Sequence, residues 1–72
     1  MNRLEFLTKS QAQAKCDAIH AWMISNNAEY AASVEAGQTV KWADPMQDVD
    51  DEGNAIGTKW YVPVSARCEG AY

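Results

Sequence analysis

Residues 11–25 read QAQAKCDAIHAWMIS, a stretch rich in Ala and Gln with no Gly or Pro. Within it Ala12, Cys16, Ile19 and Met23 recur at steps of four, three and four. That repeat places the four side chains on one face of an α-helix. Trp22 widens the apolar stripe, and Lys9, Gln13 and Asp17 fall mostly on the opposite side. Thr8 and Gln11 have the spacing of a capping box, and Leu7 and Ala12 that of a hydrophobic staple. Asn26 and Asn27 suit a helix end and a new N-cap. They predict a second helix from Ala28 to about Ala36, with Glu29 in its first turn, where a negative charge favours the helix dipole. Tyr30 and Val34 would face the core, and Gly37 would supply the left-handed terminating residue.

Beyond Gly37 the pattern changes. Residues 39–43 alternate, with Val40 and Trp42 on one face, and Met46 and Val49 extend them past Pro45. A polar turn region follows over 48–57, and then Thr58-Lys59-Trp60-Tyr61-Val62-Pro63-Val64. Trp60, Val62 and Val64 share one face of that strand. Two strands around a turn predict an antiparallel hairpin, with Pro63 indicating an edge. Near the start, Leu4 and Phe6 alternate with charged residues, as in a short strand or an extended arm. The expected fold is therefore α+β: two N-terminal helices packed on a C-terminal antiparallel β-hairpin, with residues 3–7 as an optional third short strand. It is read as one small domain over 1–72. Residues 1–7 form the arm or strand, 8–37 the helical part, 38–65 the hairpin and 66–72 a tail ordered mainly at Cys68. Ile19, Trp22, Met23, Tyr30 and Val34 would bury against Val40, Trp42, Trp60 and Val62.

The chain has 72 residues and a formal charge of −4. This length excludes two-domain enzymes and repeat arrays. The acidic balance argues against direct nucleic-acid binding, which needs Lys and Arg to neutralise phosphates. With 47% apolar residues, three Trp and three Tyr, the composition is that of a folded chain. No basic segment precedes an apolar run, and no run approaches the ~20 residues that cross a bilayer. A soluble, intracellularly made protein is expected, with neither membrane insertion nor a signal peptide. Cys16 and Cys68 are expected as reduced, partly buried thiols. A bridge between them is the alternative and would contribute ~4 kcal/mol on the loop-entropy argument.

The segment Asp48-Val49-Asp50-Asp51-Glu52-Gly53 mimics the start of a calcium loop. Position 12 of such a loop, however, falls on Lys59, a cation where a bidentate Glu is required. Cys16 and His20 lie one helical turn apart, but no CxxC-type pair completes a zinc site. Asp17, His20 and a cysteine do not form a nucleophile–base system, because nothing marks an oxyanion nest or nucleophile turn. No metal, no cofactor and no enzymatic activity are therefore expected. The aromatic residues carry the functional expectation, since Trp and Tyr dominate interface hot spots. Trp42, Trp60, Tyr61, Phe6 and Tyr72 are contact candidates. Asp48, Asp50, Asp51 and Glu52 form an acidic patch suited to a basic partner.

The run Thr39-Val40-Lys41-Trp42-Ala43-Asp44-Pro45, then Gly57 and Lys59-Trp60-Tyr61-Val62-Pro63-Val64, resembles small uncharacterised proteins of tailed-phage genomes. Those chains share an Ala/Gln-rich helix, a Thr-x-x-Trp-Ala-x-Pro segment and a Trp-centred strand. The resemblance carries no catalytic residues. It implies a phage-type protein working through protein contacts, as a minor component of a capsid or tail or an accessory factor, located in the virion or the host cytoplasm; the expected arrangement is a symmetric assembly or homo-oligomer. The alternative is a small acidic inhibitor of a host machine, such as an anti-defence protein or an RNA polymerase inhibitor, acting by occlusion.

Overall fold

A computed structural model describes residues 2–72. The chain runs β1 (Asn2–Phe6), α1 (Lys9–Asn26), α2 (Ala28–Glu35), β2 (Trp60–Val64) and a short 3-10 turn at Ala66–Cys68. This is the expected α+β class, with both helices preceding β2. The helix boundaries follow from their caps. Thr8 Oγ1 accepts from Gln11 N at 3.1 Å, and Asn27 Oδ1 accepts from Tyr30 N at 3.0 Å. Each cap satisfies an amide that the first helical turn leaves open. Gly37 closes the second helix with φ 78°. The staple does not form: Leu7 stays 73% exposed.

The core sits where α1 crosses the sheet. Ala12, Cys16, Ile19 and Met23 are buried, the whole stripe read from the sequence. They meet Val62, Val64, Tyr30 and Cys68, with Leu4, Phe6, Trp22, Val34, Trp42 and Trp60 packed around the rim. Both cysteines are free thiols and both are buried. The C-terminal segment is tied down at more than Cys68. Ala71 packs on the core, and Gly70 lies against the Trp22 ring, where an added Cβ would sit 3.1 Å from the indole.

The sheet is a two-stranded antiparallel pair of β1 and β2, with Asn2, Arg3, Leu4, Glu5 and Phe6 opposite Val64, Pro63, Val62, Tyr61 and Trp60. The optional third strand is thus the principal partner of β2. The first arm of the expected hairpin survives only as isolated bridges, Met46 with Tyr61 and Val49 with Ala55. The reason is local chemistry on the far edge of β2. Tyr61 exchanges both backbone bonds with Met46, at 2.7 and 3.0 Å. The next rung would need an amide from Pro63, which has none. Its carbonyl is taken instead by Trp42 Nε1 at 2.8 Å. On the other side of the bridge, Asp48 O accepts from Ile56 N at 2.7 Å, so it too leaves the ladder. Val40, expected in the core, is consequently 78% exposed.

Candidate protein-contact surface

Residues 38–59 form one long excursion between α2 and β2, and none of them is buried. Three kinds of tether hold it. Trp42 bonds Pro63 and packs its ring 6.1 Å from that of Tyr30. Met46 bridges Tyr61. At the outer sheet face, Arg3 holds Asp48 through two bonds of 2.7 and 3.3 Å, and Lys59 holds Glu5 at 2.9 Å. The Arg3 guanidinium also lies 3.8 Å above the Tyr61 ring, a cation–π contact. Hydrogen bonding to Arg3 moves the Asp48 carboxyl below the usual carboxylate range, and hydrogen bonding to Glu5 raises the Lys59 ammonium.

At its tip the excursion makes the polar turn expected from its composition. Asp50 Oδ1 accepts from Glu52 N at 2.9 Å and Asn54 N at 3.0 Å, and Gly53 takes φ 84°. The four-carboxylate patch is therefore divided. Asp48 serves Arg3, Asp50 organises its own turn, and Asp51 and Glu52 remain exposed without side-chain hydrogen bonds among the described residues.

The aromatic contact candidates are divided too. Phe6, Trp42 and Trp60 are half-buried and pack on the core. Lys9 Nζ stands 5.6 Å from the Trp60 ring. Tyr61 is half-buried beneath Arg3, and Tyr72 is exposed. Within the excursion Val40, Met46, Val49 and Ile56 are exposed, Ile56 by 57%, and elsewhere Leu7 and Ile24 are exposed as well. Sequence reasoning assigned the first three to a strand, where alternation would have hidden part of them. The signal against this was available: between residues 44 and 57 Met46, Val49 and Ile56 are set apart from one another among Asp, Glu, Gly, Pro and Asn.

The reactive groups are occupied or enclosed. Cys16 is buried, and loss of solvent pushes its thiol pKa up, away from the nucleophilic thiolate. His20 Nδ1 shares a hydrogen bond of 2.8 Å with the Tyr30 hydroxyl. Cys68 Sγ donates to Ser65 O at 3.3 Å, closing the last turn. Among the described residues no three metal-ligating side chains converge. No helix of the described residues is long and apolar enough to cross a membrane. The chain matches no family model, no curated protein and no solved structure.

Proposed function

We propose that this is a non-enzymatic, phage-type protein acting through protein contacts, as a minor structural or accessory component of a capsid or tail. The observation that carries the contact mode is the excursion over 38–59. Long loops without their own secondary structure are uncommon in compact domains, and those that are ordered are usually functional, as lids or binding loops. This one presents Val40, Met46, Val49 and Ile56 to solvent while its ends are fastened to the sheet. A fastened loop loses little conformational entropy on docking, so its apolar contacts translate more fully into affinity. The phage setting comes from the resemblance of residues 39–45 and 57–64.

The test is incorporation. Particles assembled in cells making the chain are purified and analysed by mass spectrometry, with the Val40→Ser/Ile56→Ser double variant in parallel. The chain is expected at a fixed ratio to the major particle protein, and the variant at a lower one. Particles free of the chain overturn the proposal. Equal incorporation of the folded variant removes the excursion from it. The occlusion alternative is weakened because Asp48 and Asp50 already have intramolecular partners.

A further inference from the structure

The two edges of the sheet are treated differently. Along the far edge of β2, Met46, the missing amide of Pro63 and the Trp42 indole leave no room for an arriving strand. Along the outer edge of β1 no strand of the described residues lies. The direction of each backbone group there follows from alternation. Tyr61 turns its N–H and C=O toward Met46. Trp60, Val62 and Val64 therefore turn theirs toward β1, where Phe6, Leu4 and Asn2 answer them. Arg3 and Glu5 are left with two donors and two acceptors aimed away from the sheet.

The same five residues have a charge order that reads symmetrically about Leu4: Arg3 before it, Glu5 after it. We propose that a second copy of this chain pairs with this edge, β1 against β1, antiparallel about a twofold axis through Leu4. In that register Arg3 of each copy lies opposite Glu5 of the other. Arg3 and Glu5 are the residues whose backbone groups face outward, so each opposed pair is a hydrogen-bonded one. The two leucines meet on the helix-covered side, and two marginal two-stranded sheets become one of four strands. Charges on an edge strand normally repel newcomers. Here the order Arg-x-Glu rejects parallel pairing, which sets like charges opposite, and accepts an antiparallel copy of itself. Both side chains already have partners within the chain, and each keeps hydrogen-bonding capacity for one more. Arg3 is held over Tyr61 by Asp48, and Lys59 takes Oε2 of Glu5, leaving Oε1 for another donor. This inference does not rest on the particle reading.

The test uses the full chain, from micromolar to millimolar concentration, by analytical ultracentrifugation and amide hydrogen exchange. The mass is expected to rise to that of two copies. The Arg3 and Glu5 amides should become protected in step, while those of Leu4 and Phe6 are protected throughout. Arg3→Glu and Glu5→Arg should each be monomeric, and their equimolar mixture should restore the dimer. A wild-type chain that stays monomeric overturns the proposal. So does a dimer whose Arg3 and Glu5 amides still exchange freely, or a mixture of folded variants that stays monomeric.

Discussion

The helical region over 8–37 and the excursion over 38–59 are built on opposite principles. Of the eight buried core residues among those described, the first contributes five: Ala12, Cys16, Ile19, Met23 and Tyr30. The second contributes none, and is held by discrete bonds from Trp42, Met46 and Asp48. Burial is a collective effect spread over many contacts, whereas a tether is a single interaction. The difference teaches that the helical region supplies most of the buried core, whereas the excursion supplies four of the exposed large apolar side chains and none of the core. Substitutions should therefore affect one without the other.

The largest expected effect is on the buried stripe. Ile19→Ala removes a fully buried side chain and should cost ~2–5 kcal/mol, against the ~3–5 kcal/mol typical of a core this small. Circular dichroism should show a much lower melting temperature than the wild type. A variant melting near the wild type would break the comparison. Next comes Trp42→Phe, which keeps a ring beside Tyr30 and removes the bond to Pro63 O. A loss of about 1 kcal/mol is expected, with faster amide exchange at Met46 and unchanged exchange within α1. If α1 loosens equally, the excursion is part of the core's cooperative unit.

A smaller effect concerns acid. The Asp48 pKa is depressed in the folded chain, so its contribution is present above the unfolded carboxyl's range and lost as pH falls through the folded value. Thermal melts of the wild type should decline at the acid end, and Asp48→Asn should flatten that limb. Salt should mimic the substitution, because the pair is solvent-exposed. The smallest effect is at Val40, where Val40→Ser should change stability by no more than ~0.5 kcal/mol in a denaturant titration. A larger loss would show that this exposed side chain supports the excursion's shape.

These regions also differ in what could be read from sequence. The stripe from Ala12 to Met23, the Thr8 and Asn27 caps and the Gly37 stop are local patterns, and local geometry honours them. The partner of β2 is a long-range choice. Residues 39–46 offered proximity, and residues 2–6 offered a full set of backbone groups. Pro63 correctly signalled an edge without ladder bonds, but that edge faces Met46, a fact visible only once β1 occupies the other side. The exposed side chains were not legible in place. Aromatic residues looked like anchors, yet Trp42 and Trp60 are needed at the rim of a small core. The exposed aliphatics were absorbed into a strand that does not form.

The pairing of β1 with β2 has a consequence for synthesis. Glu5 and Lys59 are brought together across 54 positions of chain. Closing so long a loop costs entropy before any strand contact returns it. On the ribosome α1 emerges well before Val62 and Val64, so its stripe of Ile19 and Met23 is uncovered while translation continues. The nascent chain is then an amphipathic helix awaiting its sheet, and that interval is when a chaperone or a neighbouring nascent chain would find it most adhesive.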